Sequence, residues 1–217
     1  MNQLVDAVLV LLILTGFLLL GSSRLAACIR AVAIQGLLLG FLAIAIQDGQ
    51  LTVVGTLLPL VSATVKGFLL PWLLFRAMRE ADTVREVEPF ISYNLSIMIG
   101  AVGLALSLWL GQHLRLPSQP ESSVLVPAAL FTILAGLIVT VSRRKAITQV
   151  VGYLALENGI YAFGAAVALE MPILVELGIL LDVLVGVFVM GIAIFHINRQ
   201  FDHIDTGRLT SLTDRVR

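Results

Sequence analysis

The sequence predicts an all-α integral membrane protein of seven transmembrane helices, with its N-terminus outside and its C-terminus in the cytoplasm. Three observations carry that reading. The first is composition: of 217 residues, 59% are hydrophobic and 13% charged, where a soluble domain carries about 25% charged residues. The mean hydropathy is +1.00, more apolar surface than a water-soluble fold can cover. The second is length. A bilayer-crossing helix needs about 20 predominantly apolar residues, and seven runs qualify. The third is an alternation of basic residues between successive connections, which sets orientation because cytoplasmic loops collect Lys and Arg.

The runs are, in order, Leu4–Gly21, Leu25–Ile46, Leu51–Phe75, Ile91–Leu110, Val124–Val141, Ala146–Leu169 and Ile173–Ile197. Leu25 to Cys28 looks like a lipoprotein cleavage box, but no basic residue precedes the first run and Arg24 interrupts the approach. The first run therefore reads as a retained span. Arg24 and Arg30 flank the first connection; Arg76, Arg79 and Arg85 the third; Arg143, Arg144 and Lys145 the fifth; and the tail holds Arg199, Arg208, Arg215 and Arg217. On the other side Arg115 stands alone. The odd connections and the tail are thus assigned to the cytoplasm. The mixed-charge stretch from Arg76 to Glu88 reads as a short helix along the cytoplasmic face. The Pro/Ser-rich stretch from Gly111 to Ser123 reads as an outer loop.

The organisation this implies is a three-helix unit (1–76), a cytoplasmic connector (77–90), a fourth helix with the outer loop (91–123), a second three-helix unit (124–199) and a cytoplasmic tail (200–217). The two three-helix units also share a short pattern that a duplication would explain. Ser23, Arg24, Ala27, Val32 and Gly40 recur at equal spacing as Ser142, Arg143, Ala146, Val151 and Gly159.

Charge near a bilayer centre costs at least ~2.5 kcal/mol on insertion scales, so it marks function by default. Lys66, Glu157 and Asp182 lie deep in their runs, with Gln35 at similar depth. Thr52, Gly55, Pro59, Ser62 and Lys66 share one helical face. Lys66 is roughly 13 Å from the cytoplasmic end of its run at 1.5 Å per residue, long for a snorkelling stem. Gly178, Asp182, Gly186 and Met190 recur at four-residue steps, so Asp182 points into protein. Gly152, Ala155, Gly159, Ala162 and Ala166 form a packing stripe, and Glu157 falls nearly opposite it, flanked by Tyr153 and Tyr161. That surface must meet another helix of this chain or another subunit, and it reads as a pointer to a hetero-oligomer. Asn158, Tyr161, Ser62 and His196 are accessory polar candidates. Glu170 and Glu176 read as solvated.

The zero formal net charge offers no field for nucleic acid. One cysteine excludes an intrachain disulfide, and neither a metal nor a cofactor is expected. No nucleophile–base pair or phosphate loop is legible, so the chain is not expected to be catalytic alone. Moving an ion, or supporting such movement, is the use left for a lysine and carboxylates at the midplane. A retinal-type protein would want its lysine in the last helix, not the third.

Ser142, Arg143 and Arg144, the span holding Gly152, Glu157 and Asn158, the Asp182-to-Gly186 segment and the basic tail after Ile197 resemble the K subunit of bacterial complex I. The same unit is similar to the C subunit of multisubunit sodium/proton antiporters. Over its whole length the chain resembles the membrane-embedded component E of hydrogenase-4, within group 4 hydrogenase and formate hydrogenlyase-type complexes. Two departures stand out: Glu157 sits one helical turn later than the family glutamate, and Asp182 replaces a longer glutamate. The resemblance implies a membrane-arm subunit of a redox-driven proton- or sodium-translocating complex in a bacterial inner membrane. Its partners would be antiporter-like and other membrane-arm subunits, with Glu157, Asp182 and Lys66 on an ion path. A multisubunit cation/proton antiporter without a redox partner, or a structural spacer, are the alternatives.

Overall fold

A computed structural model describes residues 2–45, 53–80, 89–114 and 122–167, together with 181, 184–186, 188, 189 and 191. The described elements are all helical. In chain order they are α1 (Asn2–Gly21), α2 (Leu25–Ala45), α3 (Val53–Thr64), a π-helical turn (Val65–Leu69), α4 (Leu70–Glu80), α5 (Tyr93–His113), α6 (Leu125–Ser142) and α7 (Ala146–Val167). Both residues bounding the π turn keep helical dihedrals, so α3, the turn and α4 form one continuous helix. All six of the first apolar runs are therefore helices. Five described helical stretches are long and apolar enough to cross a membrane: Gln3–Gly21, Leu25–Ala45, Thr56–Arg79, Tyr93–His113 and Leu125–Ser142. Helix α7 is of similar length and carries Gln149, Glu157 and Asn158. Of the seventh run, every described residue is helical.

The third helix departs from expectation at its end. It runs unbroken through Arg76 and Arg79 to Glu80, where a separate surface helix was expected to begin at Arg76. Leu74 and Ala77 bury on one side while Arg76 and Arg79 stay exposed, an amphipathic pattern that extends the helix past its apolar run. Residues 81–88 lie outside the described residues, as do the tail and most of the outer loop.

Hydroxyls inside the apolar helices bond to their own backbone, which removes the cost of placing them there. Thr64 donates to the Leu60 carbonyl, Ser107 to Gly103, Thr132 to Ala128 and Thr140 to Gly136, each at 2.7–2.8 Å. Helices α6 and α7 approach most closely. A Cβ on Gly152 would stand 2.6 Å from the backbone nitrogen of Thr140, and one on Gly136 would stand 2.7 Å from the Gly152 carbonyl oxygen. Only glycine permits that contact, and the expected small-residue stripe of α7 is indeed its seam with α6.

Two apolar clusters fill the bundle. One gathers Leu19, Leu20, Leu25, Ile29, Val32, Leu74, Val139, Val151 and Ala155, and takes in Val185 and Val189 of the last run. The other gathers Val5, Leu9, Leu12, Leu39, Leu42, Leu125, Ala129, Ala162 and Ala166. The helices alternate direction between these two levels. At the first end, the Phe90 amide donates to the Ser142 carbonyl, and Arg143 donates to the carbonyls of Leu20 and Ile91 at 2.8 and 3.2 Å. At the opposite end, Ser122 donates to the Asp6 carboxylate at 2.6 Å. The connections bearing Arg24, Arg143, Arg144 and Lys145 therefore share one end.

Arg143 is a surprise among those charges. It lies in the connection between α6 and α7, as the sequence predicts, and it is only 1% exposed. It stacks over the Tyr93 ring at 4.4 Å while bonding to the Leu20 carbonyl in the last turn of α1 and to the Ile91 carbonyl just before α5. Cation and ring attract electrostatically, and the carbonyls satisfy the guanidinium donors. Arg143 thus ties the ends of α1, α5 and α6 together. Cys28, the residue of the apparent lipidation box, is buried inside α2.

Candidate functional site

The polar residues of the bundle interior meet between the two apolar clusters. Thr15 lies between Leu12 and Leu19 on α1, Gln35 between Val32 and Leu39 on α2, and Glu157 and Asn158 between Ala155 and Ala162 on α7. Lys66 comes from the π turn. Four helices thus contribute one layer of polar side chains, flanked by apolar packing on both sides.

The centre of the layer is an ion pair. Lys66 Nζ stands 2.8 Å from Glu157 Oε1, and both residues are 4% exposed. Lys66 also donates to Asn158 Oδ1 at 3.4 Å, and its ammonium lies 5.9 Å from the centre of the Tyr161 ring. From Asn158 the contacts continue sideways. Its Nδ2 donates to Gln35 Oε1 at 3.4 Å, Gln35 Nε2 donates to Thr15 Oγ1 at 3.1 Å, and the Thr15 hydroxyl donates to the Leu12 carbonyl at 2.7 Å. Among the described residues, Glu157 Oε2 is buried without a hydrogen-bond partner. A charged group in such surroundings persists only when paired, and a carboxylate oxygen left over can still accept a proton or a water.

Local sequence explains how Lys66 reaches the pair. Pro59 withholds an amide from the ladder of α3, and the helix widens into a π turn at Val65–Leu69. Such turns recur at functional sites because they re-aim a side chain. Gly36 then lets α2 close upon the turn: a Cβ there would stand 2.5 Å from Lys66 Cβ. Pro59, Ser62 and Lys66 are all buried on one face, as their spacing predicts.

The expected site residues divide into those brought together and those outside the described residues. Lys66, Glu157, Asn158, Gln35 and Tyr161 form one network, with Ser62 buried a turn before Lys66. Asp182 and His196 lie outside the described residues, as do Glu170 and Glu176. Glu157 faces away from the α6 seam and meets Lys66 of this same chain, the first of the two alternatives its position left open, so its placement no longer points to another subunit. Thr15 was missed, because a hydroxyl in an apolar run costs little and gives no signal in hydropathy.

Known proteins share this sequence to different extents. An uncharacterized protein of Mycobacterium tuberculosis (strain ATCC 25618 / H37Rv), Rv0085, is 32% identical over 207 residues, covering 94% of this chain and 93% of that protein. Hydrogenase-4 component E of Escherichia coli (strain K12) is 29% identical over 147 residues, 68% of either chain, and the Shigella flexneri protein matches equally. No family model and no solved structure matches the chain. The apolar helices and these relatives make it a membrane protein, and the homology to hydrogenase-4 component E supports the family resemblance read from the sequence. The chain belongs to one family with the Mycobacterium tuberculosis protein Rv0085.

Proposed function

We propose that this chain is a membrane-arm subunit of a redox-driven proton- or sodium-translocating complex of the hydrogenase-4 type. Its homology to hydrogenase-4 component E supports membership of a hydrogenase complex. The observation that carries the ion-handling part is the Lys66–Glu157 pair, buried mid-bundle with one carboxylate oxygen unpartnered among the described residues. A buried ion pair is a weak source of stability, because desolvation offsets much of the attraction. Its retention at mid-level suits a site where charge moves. Lys66 and Glu157, with Asp182, would line a polar path toward antiporter-like subunits, consistent with the complex I K-subunit and antiporter C-subunit resemblances. The end bearing Arg24, Arg143, Arg144 and Lys145 is assigned to the cytoplasm on the positive-inside rule. On that assignment the N-terminus would lie outside and, with seven spans, the C-terminus inside; the membrane would be a bacterial inner membrane, as the hydrogenase-4 resemblance implies.

The test is ion translocation by the assembled complex carrying Glu157→Gln or Asp182→Asn. The expected result is reduced translocation with the complex intact; full translocation in both variants contradicts the proposal. A spacer role is the second reading, favoured by the short contact of Lys66 with Glu157. Under it the same variants disturb assembly and leave translocation per complex unchanged. Purification of the tagged chain from native membranes separates a hydrogenase from an antiporter without a redox partner: hydrogenase subunits co-purify in the first case, antiporter subunits alone in the second.

A further inference from the structure

Beside the ion pair, a run of hydrogen bonds among the described residues points one way. Lys66 donates to Asn158, Asn158 to Gln35, Gln35 to Thr15 and Thr15 to the Leu12 carbonyl. The chain ends on a backbone oxygen, which has no proton to pass on. Its two middle members are amides, whose nitrogens do not take up a further proton near neutral pH. This arm therefore carries orientation and not protons.

The orientation is set from the far end. The Thr15 hydroxyl uses its proton on the Leu12 carbonyl, so it offers Gln35 only an acceptor. Gln35 must then turn its nitrogen toward Thr15 and its oxygen toward Asn158. Asn158 in turn aims its nitrogen at Gln35 and its oxygen at the Lys66 ammonium. Rotating either amide would set two donors or two acceptors against each other. Gln35 and Thr15 are 0% and 8% exposed, so water has little access to repair such a mismatch.

We infer that Thr15 and Gln35 are positioning residues: they fix the Asn158 amide, hold Lys66 beside Glu157 and close the α1 side of the site to proton flow. This rests on the reading that the Lys66–Glu157 pair belongs to an ion path. Outer contacts of this kind commonly govern the groups they orient as strongly as direct neighbours do.

The test uses the assembled complex in native membranes, with Thr15→Val and Thr15→Ser. Valine keeps the shape and removes the acceptor, whereas serine keeps the hydroxyl. Two readouts are taken: the pH profile of ion translocation, and acylation of Lys66 by a small membrane-permeant amine reagent, followed by mass spectrometry. Thr15→Val is expected to displace the pH profile and to raise Lys66 acylation, and Thr15→Ser to match the wild type in both. Wild-type behaviour of Thr15→Val in both readouts overturns the inference. Should Thr15→Val fail to accumulate, Gln35→Met is read the same way, with the same two decisive outcomes. If Glu157→Gln and Asp182→Asn both leave translocation intact, the ion-path reading falls on its own, and Lys66 acylation still decides whether Thr15 positions the lysine.

Discussion

Helix α7 meets α6 through glycine and alanine, and it meets α2 and the π turn through an amide and a carboxylate. The first seam is dry. Gly136 and Gly152 bring two backbones into contact, and Gly159 extends that contact to Ile133 and Ala129. The second seam is polar: Glu157 meets Lys66 of the π turn, and Asn158 meets Gln35 of α2, which in turn reaches Thr15 of α1. Lipid offers no hydrophobic drive between helices, so close packing of small residues is what holds such a pair together. The dry seam accordingly fixes α7 in place, and the polar seam is free to serve a purpose other than cohesion.

The largest effect is expected from breaking the dry seam. Gly136→Leu or Gly152→Leu would drive a side chain into backbone that cannot yield. The chain should vanish from the membrane fraction on immunoblots, together with the complex. Normal accumulation of either variant would show that α6 and α7 are not held by this contact.

A smaller but still large effect is expected in the polar seam. Lys66→Met leaves the Glu157 carboxylate buried without its cation, and removing one partner of a buried pair costs about 3–5 kcal/mol. The purified protein should unfold at a lower detergent-denaturant concentration than the wild type. Unaltered unfolding would mean that the pair contributes no net attraction.

Asn158→Leu should cost less, about 1–3 kcal/mol, because it orphans the buried Gln35 oxygen and removes one of the acceptors facing Lys66. The same denaturation measurement ranks it. A cost as large as that of Lys66→Met would shift the weight of the seam from the ion pair to the amides.

Helix α5 shows how far sequence alone reaches. It buries Ser96, Gly100 and Ser107 while exposing Leu95, Met98, Val102, Leu106 and Trp109. That inside-out pattern suits a lipid-facing helix, and hydropathy finds it without help. Lys66, Gln35, Glu157 and Asn158 were legible for the converse reason: polar groups in apolar runs are expensive and stand out. Their pairing was not legible. Lys66 and Glu157 are 91 residues apart, and no local pattern links them. The π turn was equally hidden, since Pro59 signals a disturbance but not its form. The facing direction of Glu157 followed from helical periodicity, but the identity of what it faces required the fold. The burial of Arg143 was not legible, because a cation beside a loop looks the same in sequence whether it is solvated or buried against Tyr93 and two carbonyls.

On this account the Lys66–Glu157 pair is kept for ion movement and not for holding the helices together. The double variant Lys66→Met with Glu157→Met tests that most directly, with stability and ion translocation measured on the same assembled complex. Replacing both charges by apolar groups removes the uncompensated charge left by either single change, so stability should return to near the wild-type value. Translocation should stay below that of the wild type. Recovery of translocation together with stability would contradict the account and leave the pair a structural contact.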